Sequence, residues 1–257
     1  MPVAAVNGQQ INYTDSGGDD PVIIWSHGFL MNHTMFDPQV QGVAGWRHVA
    51  WDERGFGETP ATGPFSYWDS ANDAVALLDH LGVDQAVFAG MSQGGFLSLR
   101  AALAHPDRVR ALVLIDTESG IDPPELIEGR NAMIDHWTSD APLGDVGEFV
   151  AALILGDPAL NEIWIADWES RRATFSIEVS NCLHNREDIT DRMSEISCPA
   201  LVVHGTADAA IAYDNGVALS KAIQGAQLAA IEGGSHAANL THPAETNAAI
   251  SGFLATL

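Results

Sequence analysis

One ten-residue stretch limits the possible folds of this chain more than any other. The apolar run 86–89 leads into Gly90-Met91-Ser92-Gln93-Gly94-Gly95, and an amphipathic run follows. This order predicts a strand, a very tight turn and a helix, with Ser92 exposed at the tip of the turn. Glycine suits positions 90 and 94 because side chains there would collide across so sharp a turn. Ser92 is therefore a candidate nucleophile, and the alternative is a structural serine in a glycine-rich turn.

Length and charge narrow the class of protein. A chain of 257 residues fits one large α/β domain with an inserted subdomain. A domain of that size buries most of its apolar surface and needs no stabilising disulfide bonds or metal ions. The 34 Asp and Glu against 11 Lys and Arg give a net charge of −23. Such a surface repels nucleic acid and anionic lipid, so we expect neither as a partner.

Cysteines and the N-terminus bear on the compartment. Cys182 and Cys198 do not make a disulfide framework, so reduced thiols in a cytoplasmic protein are expected. The first residues lack the basic and apolar parts of a signal peptide, and no apolar run reaches membrane-spanning length. The sequence has neither a C-x-x-C nor an H-E-x-x-H spacing, so we expect neither a metal nor another cofactor. The oligomeric state is left open.

Strand-like and helical patterns alternate along most of the chain. Asn7-Gly8 predicts a tight hairpin turn between the runs 3–6 and 10–14. The predicted strands are 21–26, 49–51, 86–89, 109–115, 200–203 and 228–231, and the predicted helices include 73–81 and 243–254. This alternation predicts a mostly parallel sheet with helices on both faces and the antiparallel hairpin at one edge.

Between the two strand-rich parts the pattern becomes helical. Residues 119–196 are predicted to form a helical lid inserted into a core made of residues 1–118 and 197–257. Its tryptophans, Trp137, Trp164 and Trp168, are candidates to line an apolar substrate pocket, and the alternative is that they form the core of the lid. Arg171 and Arg172 are expected on a solvated helix face. If either of these two faced Ser92, an acidic lactone would instead be favoured as substrate.

A serine nucleophile needs a base, and the base needs an orienting carboxylate. Asp208 and His236 each come just after a predicted strand, and the ends of parallel strands open onto one rim. The alternatives are that Asp208 only caps the next helix, or that Asp116, after an earlier strand, is the acid. His204 and His242 are interpreted as structural.

An oxyanion hole needs two backbone N–H groups held in place before the reaction. Gln93 follows the candidate nucleophile and begins its helix, where the helix dipole favours negative charge. Phe29 lies in the loop after the strand 21–26, and Gly28 lets that backbone bend inward. The N–H groups of Phe29 and Gln93 are the predicted donors.

Five short segments together resemble the α/β-hydrolase fold family over nearly the whole chain. They are His27-Gly28-Phe29, residues 52–57 with the pattern D-x-R-G-x-G, and the segments 90–95, 204–208 and 233–236. The resemblance implies a lidded single-domain hydrolase whose triad follows the order Ser92, Asp208, His236. It also implies a structural ion pair for Arg54. Within the family the chain is similar to carboxylesterases, enol-lactone hydrolases and cofactor-free haloperoxidases.

The resemblance also implies the reaction. Ser92 stands where epoxide hydrolases and haloalkane dehalogenases have aspartate, and Gln93 replaces the dehalogenases' halide-binding tryptophan, so neither chemistry is expected. The expected function is hydrolysis of a small carboxylic ester or lactone through an acyl-enzyme. The alternatives are perhydrolysis with halide oxidation by the same triad, hydrolysis of a carbon–carbon bond, and a non-catalytic hormone-type receptor. Neither the natural substrate nor its acyl-chain length is specified by the sequence.

Overall fold

The computed structural model contains one sheet of eight strands. It describes the backbone of residues 1–257 and the side chains at all positions except 124 and 125. The strands are β1 Val3–Val6, β2 Gln9–Asp15, β3 Val22–Ser26, β4 Arg47–Trp51, β5 Ala86–Met91, β6 Val109–Ile115, β7 Ala200–Gly205 and β8 Gln227–Ile231. Their order in the sheet is β1-β2-β4-β3-β5-β6-β7-β8. The pairs β1·β2 and β2·β4 are antiparallel and the others are parallel, which confirms the predicted mostly parallel sheet.

Helices cover both faces of this sheet. They are α1 Asp37–Gly42, α2 Tyr67–His80, α3 Gln93–Ala104, α4 Pro124–Trp137, α5 Gly144–Ile154, α6 Pro158–Arg171, α7 Ile177–His184, α8 Tyr213–Ala222, α9 Ala238–Thr241 and α10 Pro243–Leu254. Side chains of α2, α3 and α8 form one core with alternate strand residues such as Phe88. Those of α9 and α10 form a second core with the intervening residues such as Val87. Burial on both faces explains why the central strands are continuous apolar runs.

Helix α2 begins earlier than the apolar spacing predicted. The sequence predicted a helix over 73–81, but α2 begins at Tyr67. Ser66 and Asp69 form a capping box, in which each side chain accepts a hydrogen bond from the other residue's backbone N–H. This satisfies two N–H groups that the start of a helix leaves without partners. The S-x-x-D pattern at 66–69 was the signal that the apolar spacing alone did not include.

Residues 119–196 connect β6 to β7 and are here called the helical segment. They contain α4, α5, α6 and α7, with short 3₁₀ turns at Arg172–Thr174 and Thr190–Glu195. Apolar side chains of α4, α5 and α6 join the second core. Among the described residues, no helix is both long and apolar enough to cross a membrane.

The register of the parallel strands brings their carboxyl ends to one edge. Ser26 pairs with Gly90, Met91 with Ile115, and Gly205 with Ile231. The loops that leave β5, β7 and β8 therefore begin at similar heights. Residues 92, 208 and 236 lie in these loops, far apart in sequence and adjacent in space.

Candidate active site

Ser92 sits at the tip of the turn between β5 and α3. Its backbone has φ 51° and ψ −115°, a strained conformation for a residue with a side chain. The neighbouring glycines are required sterically. A Cβ at Gly90 would overlap the carbonyl of Gly94, and a Cβ at Gly94 would overlap the carbonyl of Ser26. The strain is held by the surroundings, since the Ser92 N–H donates to the Ile115 carbonyl and the Thr117 hydroxyl donates to the Ser92 carbonyl.

A hydrogen-bonded chain runs from Ser92 to His236 to Asp208. His236 Nε2 lies 3.0 Å from Ser92 Oγ, and His236 Nδ1 lies 2.8 Å from Asp208 Oδ2. An ionised carboxylate only accepts hydrogen bonds, so Asp208 keeps a proton on Nδ1 and leaves Nε2 as the acceptor for the serine proton. The structure therefore brings together the three side chains that the sequence predicted.

Asp208 is held as a carboxylate by its surroundings. Burial alone would raise the pKa of Asp208, but the charge of His236 and the hydrogen bonds from His204 and His236 outweigh burial and hold this pKa well below its usual range. Its other oxygen, Oδ1, accepts from the N–H groups of Ala210 and Ile211. The alternative that Asp208 caps the following helix is not what the structure has, because α8 begins only at Tyr213.

Asp116, the alternative acid, occupies a different place. Its two oxygens accept from the N–H groups of Gly205 and Ala238, at 2.7 and 3.0 Å, and it makes no hydrogen bond with His236 in the described structure. Burial and the charge of Asp208 raise the pKa of Asp116 to about 7. Asp116 thus ties the ends of β6 and β7 to the loop that carries His236.

His204 lies beneath this arrangement. Its Nε2 is 2.9 Å from the Ile211 carbonyl and 3.2 Å from Asp208 Oδ2. Burial would lower the pKa of His204, but the hydrogen bond to Asp208 and the charge of Asp116 raise it. Potential ligand atoms of Asp116, His204 and Asp208 lie within 4.8 Å of one another. The carboxylate oxygens already accept hydrogen bonds from protein groups, so this cluster fits a structural role.

The two predicted oxyanion donors lie on opposite sides of Ser92 in sequence. Gln93 is the first residue of α3, and Phe29 lies in the loop after β3 and lines the same cavity as Ser92. In the described part of the chain, neither N–H is paired with a protein acceptor. The carbonyl of Gly28 accepts from His27 Nδ1 and from the Met31 N–H. Because the peptide bond between Gly28 and Phe29 is trans, the Phe29 N–H points opposite to the Gly28 carbonyl, away from the His27 and Met31 donors.

Two buried side chains, His27 and Glu53, support these loops, a role that was not predicted from the sequence. His27 Nε2 accepts the Glu53 N–H at 3.0 Å, and burial lowers the pKa of His27 to about 4. Glu53 accepts from Gln93 Nε2 at 2.8 Å and from the Ser70 hydroxyl. Burial raises the pKa of Glu53 to about 8. The side chain of Gln93 is thereby turned toward the protein interior, away from Ser92.

The D-x-R-G-x-G segment at 52–57 is structural. Arg54 forms an ion pair with the buried Asp73, as the resemblance implied, with Nη2 2.8 Å from Asp73 Oδ1. Asp52 accepts from the N–H groups of His33 and Glu58, and a Cβ at Gly57 would overlap the Asp52 carboxylate. The segment also packs against the loop after β3, because the ring centres of Phe56 and Phe29 are 5.8 Å apart.

Ser92 and His236 open into a cavity of about 650 Å³, counting its mouth. Most of its walls are apolar, and the helical segment supplies Met133, Val150, Leu153, Ile154 and Leu183. Three charged side chains also line it: Asp122, Arg130 and Arg186. Asp122 and Arg186 are 64 residues apart, and the three charged residues share no local sequence pattern, so their meeting could not be predicted from the sequence.

The three candidate tryptophans do not line this cavity. Trp137 packs on Trp168 with ring centres 5.6 Å apart, and Trp168 Nε1 donates to the Leu30 carbonyl at 2.8 Å. Trp164 is buried in the same core. Trp137 and Trp168 border a separate cavity together with Arg171 and Arg172. Among the described contacts, neither of these arginines faces Ser92.

Comparison with known proteins gives matches over nearly the whole chain. The family profile described as alpha/beta hydrolase fold matches residues 21–160. A protein of Synechocystis sp. named "Putative non-heme chloroperoxidase" is 28% identical over 262 residues, which cover 95% of this chain and 94% of that protein. The 3-oxoadipate enol-lactonase 2 of Acinetobacter baylyi is 26% identical over 250 residues, which cover 95% and 92%. A thermophilic esterase from Thermogutta terrifontis is 25% identical, with a TM-score of 0.89 over 99% of this chain and 98% of that one.

Proposed function

Since the chain belongs to the α/β-hydrolase fold family, we propose that it is a serine hydrolase that cleaves a small carboxylic ester or lactone through an acyl-enzyme. One observation carries the proposal: Ser92 Oγ, His236 and Asp208 form a continuous hydrogen-bonded chain at 3.0 and 2.8 Å, open to a largely apolar cavity. An esterase and an enol-lactonase among the similar proteins support the choice of substrate bond.

The proposed reaction has two steps. In the first, Ser92 Oγ attacks the substrate carbonyl while His236 Nε2 takes its proton, and the tetrahedral intermediate then expels the alcohol, which receives that proton. In the second, His236 takes a proton from water, which attacks the acyl carbon. The tetrahedral intermediate that forms then breaks its bond to Ser92 Oγ, which takes the proton back from His236, and the acid is released. Asp208 stabilises the imidazolium formed in each step. The N–H groups of Phe29 and Gln93 bind the oxyanion, and losing one such donor typically costs about 10²–10³ in turnover.

The test is a Ser92→Ala variant assayed on 4-nitrophenyl acetate and on a simple lactone. Without the nucleophile, turnover should fall by at least about 10⁴ while the fold is kept. A mass spectrum of the wild type quenched during turnover should contain an acyl group on the peptide that carries Ser92. Undiminished turnover in the variant, or an acyl group on another residue, contradicts the proposal. The thermal unfolding midpoint of the variant is the control for folding.

The Synechocystis relative supports one second candidate, perhydrolysis. In that reaction hydrogen peroxide replaces water in attacking the acyl group, and the peracid released oxidises halide. The discriminating measurement compares peroxide-dependent bromination of a dye with ester hydrolysis in one preparation. Bromination that exceeds hydrolysis at equal acyl concentration would favour the second candidate over the first.

A further inference from the structure

The cavity beside Ser92 has a charged corner opposite its apolar walls. Arg130 donates to Asp122 from both terminal nitrogens, at 2.6 and 3.2 Å, and Arg186 donates to the same carboxylate at 2.5 Å. Two guanidinium groups thus share one carboxylate. The three charged side chains described along the cavity sum to +1, and Glu118, which pairs with Arg186 and is not part of the described lining, brings this group of four to zero.

The two arginines differ in how fully they are used. Arg186 is almost completely buried, and it also donates to the Gly120 and Leu183 carbonyls and to Glu118. These hydrogen bonds indicate that Arg186 is a structural residue. Arg130 is about a quarter exposed, and its described contacts use two of the five N–H groups that a guanidinium offers. Arg130 is therefore the cation that a bound molecule reaches.

We propose that Arg130 recognises a carboxylate at the far end of the acyl chain, so that the preferred substrates are esters or lactones derived from dicarboxylic acids. This proposal rests on the serine hydrolase function above. The apolar walls fit the methylene chain, and the guanidinium fork fits a carboxylate by charge and by paired hydrogen bonds. Asp122 holds Arg130 in place through the bidentate contact, and Arg186 donates to the same aspartate.

The test uses two esters of equal chain length, 4-nitrophenyl pentanoate and the mono-4-nitrophenyl ester of glutaric acid. The measured quantity is the preference, the kcat/KM of the anionic ester divided by that of the neutral one. Arg130→Met should lower the preference at least about tenfold, chiefly through KM, because a hydrogen bond to a charged group is lost. Arg130→Lys keeps the charge without the fork and should give an intermediate value.

Arg171→Met is the matched control. Arg171 also lies on the helical segment and pairs with a carboxylate, Asp167, but it borders the other cavity. The Arg171→Met variant should show the same preference for the anionic ester as the wild type. An Arg130→Met protein that folds and has a preference within about threefold of wild type would overturn the proposal.

A binding measurement separates this proposal from the hydrolase function. Ser92→Ala protein is titrated by calorimetry with glutarate and with the neutral glutaramide. Glutarate should bind at least about fivefold more tightly, and adding Arg130→Met should remove the difference. Equal binding of the two compounds overturns the proposal even where ester hydrolysis is established. Failure of the wild type to hydrolyse either ester refutes the hydrolase function alone.

Discussion

The two sides of the Ser92 cavity are built in different ways. On the strand side, Ser92, Asp208 and His236 are held by backbone groups at the ends of β5, β7 and β8. On the helical side, most of the walls are apolar side chains of α4, α5 and α7, and the exceptions are the charged Asp122, Arg130 and Arg186. Among the described residues, a backbone hydrogen bond from the Ala237 N–H to the Ile154 carbonyl joins the two sides.

This difference separates the reaction from the choice of substrate. Backbone hydrogen bonds fix distances closely, and the proposed reaction needs Ser92 and His236 within hydrogen-bond reach. Apolar side chains tolerate exchange provided that total volume is kept. Side chains of the helical side can therefore change while the distance between Ser92 and His236 is kept.

The largest effect is expected on the strand side, from Asp208→Asn. The amide NH₂ would face His236 Nδ1 and favour the tautomer that carries its proton on Nε2, which cannot accept the serine proton. Turnover should fall by on the order of 10⁴. The measurement is kcat on 4-nitrophenyl acetate. A loss smaller than about tenfold would mean that the carboxylate does not orient the base, and the thermal midpoint shows whether the fold is intact.

The strand side could be predicted from the sequence because each of its residues belongs to a local pattern. Gly90 to Gly95 implies a turn that glycine alone allows, and Asp208 and His236 each follow a recognisable strand. The helical side lacks such patterns. Asp122, Arg130 and Arg186 meet only through tertiary packing. A tryptophan such as Trp164 in the sequence is equally consistent with a pocket wall and with a packed core. Which side chains face Ser92 depends on how α4 to α7 pack, and helical spacing does not determine that.

A second prediction separates the two aspartates of the strand side. Burial keeps the pKa of Asp116 at about 7, above the ordinary value of 3.8 that applies in the unfolded chain. The stability it contributes is complete below about pH 4 and is lost as the pH rises to about 7, at up to about 1.4 kcal/mol per pH unit. Asp116→Asn removes this titration.

The measurement is the free energy of unfolding of both proteins in urea, from about pH 5 to about pH 8. The amide of the variant places an NH₂ group against a backbone N–H, at a cost that does not change with pH. The advantage of the wild type over the variant should therefore shrink as the pH rises, and level off above about pH 7. An advantage that is constant over this range would show that Asp116 is ionised throughout.

The smallest effect is expected on the helical side, from Gly129→Ala. On the strand side a Cβ at Gly94 would meet the Ser26 carbonyl, but no described group outside the helix lies within 4 Å of a Cβ at Gly129, which is exposed within α4. Alanine costs less conformational entropy than glycine in a helix, so the variant should gain about 0.5–1 kcal/mol. Urea unfolding measures the gain, and hydrolysis of 4-nitrophenyl acetate should stay within about twofold of wild type. A loss of stability would show that α4 contacts other groups at this position, and that the helical side is packed as tightly as the strand side.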